Sequence, residues 1–308
     1  MSLMRNALLW ASQNQRLRET LPRFGFVRKA VRRFMPGEDV EAALGAAEEL
    51  RSHGITSTFT RLGENVASAQ EAAGVRDHYL NVLDRIRERG LDTHVSTKLT
   101  QLGLDIDPEL AFQGMRAITA KASGLGNFTW IDMEQSGYVN VTLEIYRRIQ
   151  REHPNIGVCL QAYLRRTPSD FESLYPLSPA IRLVKGAYKE PPELVLPSKR
   201  EVDEAYYRLS AEYLSRVGQP RHNLSFGTHD LSLIRRIGAA AEQAGLGRSA
   251  PEYTMLYGIQ SQEQLRLARE GFKVRVLVAY GDYWFPWYMR RLAERPANVW
   301  FVLKNLIS

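Results

Sequence analysis

One cysteine in 308 residues rules out an intramolecular disulfide, so a reducing, cytoplasmic location is expected. That cysteine, Cys159, sits in the apolar run Ile156-Gly157-Val158-Cys159-Leu160 and reads as a small buried residue rather than a redox centre. No apolar stretch reaches the ~20 residues of a membrane span. Charges break the apolar start of MSLMRNALLWASQNQRLRET, so a secretory leader is not expected either. The chain also lacks a Gly-x-Gly-x-x-Gly turn and a Walker loop, and Gly124-Leu125-Gly126 precedes a β-prone run instead of joining a strand to a helix. A nucleotide cofactor would have to be held by some other device.

What is present is an ordinary globular composition, with 44% hydrophobic and 24% charged residues. The net charge of +7 comes from basic residues spread along the chain, and pairs such as Arg32-Arg33, Arg147-Arg148 and Arg235-Arg236 read as solvated helix faces. This distribution favours no nucleic-acid surface and permits weak attraction to an anionic membrane. Residues 1–50 read as helix, with arginines interleaved among Leu17, Leu21, Phe24, Val27, Val31 and Phe34. Pro36-Gly37 breaks that segment, and Glu38 to Arg51 begins a new helix. Packing of the first segment under the remaining fold is the expectation, with a membrane-surface role as the alternative.

After residue 54, short β-prone runs alternate with helical ones. Strands are expected near residues 55–60, 94–98, 128–133, 157–162, 181–185, 223–227, 253–256 and 274–279, with helices including 139–151, 201–217, 231–244 and 261–270. Eight β-α units in succession imply parallel strands, closed as a (βα)8 TIM barrel or open as a doubly wound sheet. Either way, ligands gather at the C-terminal strand ends. Those ends are unusually polar: Glu64 follows the first, Ser96-Thr97-Lys98 closes the second, Asp132-Met133-Glu134 the third, Gln161 the fourth, Lys185 the fifth and Thr228-His229-Asp230 the sixth. Lys98, Asp132, Arg182 and Lys185 are expected inside apolar strands, where an unpaired charge is costly. The last helix reads Trp284-Phe285-Pro286-Trp287-Tyr288-Met289-Arg290-Arg291, an aromatic wall beside two arginine forks suited to a carboxylate.

Six segments, in this order and spacing, resemble the proline dehydrogenase family and its bacterial monofunctional enzymes in particular. They are Lys98-Leu99-Thr100-Gln101-Leu102-Gly103, Asp132-Met133-Glu134, Arg182 to Tyr188, Thr228-His229-Asp230, Leu256-Tyr257-Gly258 and Arg290 to Pro296. The resemblance implies a distorted α/β barrel with N-terminal helices over 1–40, an FAD-binding barrel over 41–308, and a final helix over the barrel mouth. It implies L-proline as substrate, hydride transfer from C5 to FAD, Δ1-pyrroline-5-carboxylate as product and a membrane quinone as electron acceptor. A separate pyrroline-5-carboxylate dehydrogenase and peripheral contact with the inner face of the cytoplasmic membrane go with it. No metal is implied.

Residue by residue, the resemblance assigns Lys98, Arg290 and Arg291 to the proline carboxylate, with Asp132 pairing and holding Lys98. Arg182 and Lys185 would face the flavin ring, and Met133, Gln161, Gly186, Ala187, Thr228 and His229 would contact the flavin or its chain. Tyr188 and Leu256 would line the substrate ring, Asp132 and Arg182 would carry the catalytic role, and Glu64 would gate the pocket through Arg291. Leu277, Trp287 and Thr254 depart from the family pattern, which bears on ring recognition. Two rival readings use the same residues: a Schiff base on Lys98 or Lys185, and a basic binding surface without turnover.

Overall fold

The computed structural model describes residues 14, 20, 31–216, 224–285 and 287–289. Eight parallel strands close into a barrel in the order β1 to β8, each hydrogen-bonded to its neighbours in sequence and β1 closing on β8. The strands are β1 (Thr56–Arg61), β2 (Thr93–Thr97), β3 (Thr129–Ile131), β4 (Ile156–Gln161), β5 (Ala180–Val184), β6 (Leu224–Gly227), β7 (Glu252–Leu256) and β8 (Lys273–Tyr280). Helix α1 (Val40–Ser52) precedes the barrel. The crossovers are α2 (Ala69–Glu88), α3 (Pro108–Gly124), α4 (Val139–Glu152), α5 (Thr167–Leu174), α6 (Lys199–Arg216), α7 (Leu231–Gln243) and α8 (Ser261–Arg269). The open-sheet alternative is thereby excluded.

Local chemistry sets many of these boundaries. Asp39, Ser68, Asp107 and Asp230 each accept a backbone N–H at the start of a helix, and Pro108 opens α3, where its missing N–H costs nothing. Alternation along the strands then divides the side chains. Phe59, Val95, Ile131, Val158, Leu183, Phe226, Met255 and Val276 join one apolar core with the helices. The alternate set is markedly polar: Thr58, Thr60, Ser96, Arg182, Ser225, Glu252, Thr254 and Arg275 are all buried. Several of these polar residues bond to one another. Arg275 on β8 donates to Glu252 on β7 at 2.9 Å, and the hydroxyls of Ser225 and Thr254 meet at 2.7 Å. A barrel interior is commonly filled by branched apolar layers; here hydrogen bonds and ion pairs fill it.

Two expectations need correction. Of the charged residues expected inside strands, only Arg182 lies within one; Lys98, Asp132 and Lys185 stand just past the ends of β2, β3 and β5. Lys98 instead leads into a short 3₁₀ turn, Leu99–Leu102. The second correction concerns the segment before α1. Val31, Phe34 and Met35 pack with Leu62, Ala279, Trp284, Phe285, Tyr288 and Met289. Leu62 stands just past the end of β1 and Ala279 near the C-terminal end of β8, so this part of the segment packs at the barrel mouth and not beneath it. Val31 and Phe34, the described members of the apolar stripe, found their complement in the aromatic residues after β8. Trp284 Nε1 also donates to Glu38 Oε1 at 2.9 Å, and Gly258, with φ +71, leaves room for the Arg33 carbonyl.

Two half-buried histidines against the barrel make stability depend on pH. His78, against Tyr280 OH at 2.8 Å, is lowered from 6.5 to about 4 by burial and the nearby Arg61. His94 accepts from Trp130 Nε1 at 3.1 Å and is also held well below its usual value by burial and by Arg275, Arg182 and Lys273. The unfolded chain binds protons at these sites that the folded chain refuses, so stability falls as pH drops from 6.5 toward 4. The melting temperature should decline through that window and His78→Gln should flatten the decline; a constant melting temperature contradicts the assignment.

Candidate active site

A cavity of about 510 Å³ opens at the C-terminal strand ends, a typical size for a small-molecule site. Every expected site residue that the structure describes lines it: Glu64, Lys98, Asp132, Met133, Gln161, Arg182, Lys185, Gly186, Ala187, Tyr188, Thr228, His229 and Leu256. Thr254, Leu277 and Trp287, the three departures from the family pattern, line it as well. Residues 284, 285 and 287–289 are helical, and Trp287 brings that segment to the cavity wall. Arg290 and Arg291 lie outside the described residues.

Arg182 is the central charge. It starts on β5 and reaches partners on β2 and just beyond β3, strands that are not its neighbours, so its side chain crosses the lumen. Its Nη1 lies 3.6 Å from Asp132 Oδ1, its Nη2 donates to Ser96 Oγ at 3.2 Å, and its Cζ stands 4.5 Å from the Trp130 ring centre. Asp132 Oδ1 also accepts from Ser96 Oγ at 2.7 Å and from Cys159 Sγ at 3.5 Å. The indole fits because its β4 neighbour is Gly157, where an added Cβ would collide with the Trp130 ring.

The expected pairing of Asp132 with Lys98 is not formed among the described residues; Arg182 takes that carboxylate instead. A guanidinium buried to 3% exposure has greater need of an anion than a half-buried ammonium at the mouth. Lys98 acts on Glu134, whose carboxyl is raised by burial and by Glu64, while Thr100 and Lys98 oppose the rise. Thr100 donates to Glu134 from both its N–H, at 3.2 Å, and its hydroxyl, at 2.7 Å.

Lys185 is held from the side by two carboxylates, Asp203 at 2.5 Å and Asp230 at 3.2 Å. Burial disfavours the charge on both acids, but Lys185, joined by Lys199 at Asp203 and by the Ser232 and Leu233 N–H groups at Asp230, outweighs it, and both are lowered. Next to Asp230, His229 Nε2 accepts from the Leu256 backbone at 2.9 Å, which ties the loop after β6 to β7. Gln101 Nε2 donates to the carbonyls of Arg61 and Gly63, each at 2.8 Å, and so fixes the loop that carries Glu64. Gly186 has φ +115, and a Cβ there would collide with the Tyr163 ring, so only glycine serves at this wall.

The sequence pattern placed Ser96 and Asp230 at polar strand ends without giving them a role, and it did not reveal Cys159 and Asp203 as parts of this arrangement. Period-two alternation with Lys98 would have placed Ser96 on the inward face. Asp203 gave no such signal, because it comes from the helix after β5. Cys159 is buried as expected and its thiol is pushed up to about 12 by burial, yet it also lines the cavity.

An eight-stranded parallel barrel with a charged, buried cluster at its C-terminal mouth has the form of a barrel enzyme. Comparison with known proteins narrows the class. The family model described as proline dehydrogenase matches residues 43–304. Proline dehydrogenase 1 of Bacillus subtilis subsp. natto is 37% identical over 99% of this chain and 100% of its own length. Proline dehydrogenase of Deinococcus radiodurans is 36% identical over 90% of this chain and 89% of its own. Among solved structures, proline utilization A from Bdellovibrio bacteriovorus, inactivated by N-propargylglycine, superposes with a TM-score of 0.81 at 23% identity. It covers 87% of this chain, which spans only 33% of that longer protein, and the likeness bears on the fold alone. The chain belongs to the proline dehydrogenase family, flavoenzymes that oxidise a CH–NH group in the first step of proline catabolism.

Removing the carboxylate from the cluster should be expensive. Asp132→Ala leaves Arg182 buried without its anion and should cost about 3–5 kcal/mol in urea denaturation. Asp132→Asn should cost less, since its amide oxygen still accepts from Ser96. An Asp132→Asn variant as stable as the parent would contradict an ionic role for Asp132.

Proposed function

We propose that this protein oxidises L-proline to Δ1-pyrroline-5-carboxylate with FAD bound in the cavity at the strand ends. The observation that carries the reading is the convergence of one cavity on the buried Arg182 cluster, the Lys98 ammonium and the Gln161 amide. The residues fit a flavin. Gln161 donates through Nε2 to the Glu134 carbonyl at 2.7 Å, while its buried Oε1 has no protein partner and suits the ring N–H of a flavin. Gly186 and Gly227 line the same wall, and Arg182 supplies a fixed positive charge. Met133, Ala187, Thr228 and His229 would complete the contacts to the cofactor.

Held by these residues, FAD would supply the two-electron acceptor for the hydride at C5 of proline. The chain's own contribution is orientation and charge. Lys98, with Arg290 and Arg291, would hold the substrate carboxylate, and Tyr188 and Leu256 would flank the ring, which removes rotational freedom before the C–H bond breaks. Arg182, anchored by Asp132, would favour the negative charge that accumulates on a reduced flavin. Lys185 would add to that field from the edge. Its engagement by Asp203 and Asp230 weighs against a Schiff base on Lys185, which needs its nitrogen free to attack a carbonyl. Glu64 would gate entry. Leu277, Trp287 and Thr254 are the positions where breadth toward substituted prolines is set.

Electrons would pass on to a quinone, and a separate dehydrogenase would consume the product. No helix among the described residues is long and apolar enough to cross a membrane. A cytoplasmic protein that meets the membrane peripherally through its positive charge is the reading that accommodates a quinone acceptor.

The purified protein should show flavin absorbance that bleaches when L-proline is added without oxygen. A colourless protein, or a flavin that proline leaves oxidised, overturns the reading. Glu64→Ala should raise the proline KM and the substrate off-rate by about tenfold, the scale of one charged hydrogen bond, with flavin content unchanged. Unaltered transient kinetics would remove the gate.

A further inference from the structure

Ser96 is fully buried on β2 and does not line the cavity, yet it touches both groups on which the proposed chemistry depends. Its Oγ donates to Asp132 Oδ1 at 2.7 Å and accepts from Arg182 Nη2 at 3.2 Å. The direct approach of Arg182 to Asp132 is 3.6 Å, longer than a hydrogen bond. The hydrogen-bonded link between guanidinium and carboxylate therefore runs through the serine hydroxyl. A hydroxyl, with one hydrogen and two lone pairs, is suited to bridging unlike charges. The hydrogen goes to the anion, a lone pair goes to the cation, and both bonds are charge-assisted. The third constraint on the guanidinium is the Trp130 ring, which is the register partner of Ser96 on β3. Gly157 admits that ring. Together the three contacts leave Arg182 one orientation across the lumen.

We propose that Ser96 is a positioning residue that orients Arg182 toward the cavity and thereby sets the reduction potential and the rate of reduction of the bound flavin. This rests on the proposed FAD reading. Without the hydroxyl, Asp132 loses its shortest donor and Arg182 Nη2 loses its acceptor, while the volume and the Trp130 stack remain nearly intact. The guanidinium then has more than one resting place, and its charge stabilises the reduced cofactor less well.

The test compares the parent with Ser96→Ala and Ser96→Thr, each purified with its flavin. Two quantities are read: the flavin midpoint potential, measured without substrate, and the rate of anaerobic bleaching by L-proline. Ser96→Ala should retain flavin, shift its two-electron equilibrium about tenfold toward the oxidised form, which is about 30 mV more negative, and slow bleaching about tenfold. Its KM should change less than threefold, because Ser96 does not meet the substrate pocket. Ser96→Thr, which keeps the hydroxyl, should restore both quantities. If Ser96→Ala does not fold, Ser96→Cys keeps the volume with a weak donor and should show the same shift. A parent that bleaches with proline beside an alanine variant of unchanged potential and rate overturns this inference alone. Equal loss in the alanine and threonine variants also overturns it, since the effect would then be one of packing. A parent without a proline-reducible flavin overturns the reading on which it rests.

Discussion

A guanidinium laid across the inside of a barrel governs this structure. Arg182 leaves β5, passes the lumen and meets Ser96, Asp132 and Trp130 on the far side. A charge so deeply buried persists only with an anion and hydrogen bonds around it. That requirement explains several neighbours at once. Asp132 stands just past the end of β3, within reach of the guanidinium; Ser96 has a hydroxyl where an aliphatic side chain would serve packing better; and Gly157 has no side chain, so that an indole can lie beneath the cation. The polarity of the lumen, with Arg275 and Glu252 toward its other end, follows the same rule.

The cost of such an interior is met outside it. The strand residues that alternate with the polar set are Phe, Val, Ile, Leu, Tyr and Met, and they join a continuous apolar core with the crossover helices. Stability therefore resides between barrel and helices, and the lumen is left to chemistry. This division lets a cavity rich in charge open at the strand ends without loss of the fold, and the loops that shape it are tied back individually. Gln101 secures the loop after β1, His229 the loop after β6, and Lys185 the loop after β5 against α6 and α7.

A second, smaller apolar cluster packs at the mouth. Residues from the segment before α1 pack on the aromatic run after β8, with Glu38 accepting from Trp284. Trp287 reaches the cavity from this cluster. The first and last described parts of the chain are thus one structural unit at the active face, which their separation in sequence conceals.

The sequence by itself determined the alternation of strands and helices, because period two and period 3.6 are local properties of neighbouring side chains. It also identified the cavity wall, since Lys98, Asp132, Gln161, Lys185 and His229 lie at or just beyond successive strand ends and parallel β-α units bring those ends together. Which charge pairs with which was decided only by the tertiary structure. Asp132 was equally available to Lys98 and Arg182 along the chain; the lumen gave it to Arg182, the more deeply buried of the two. Ser96, Asp203 and residues 31–38 took their places for the same reason. Their partners are far away in sequence, and the pairing energy depends on burial and distance, neither of which exists until the barrel closes.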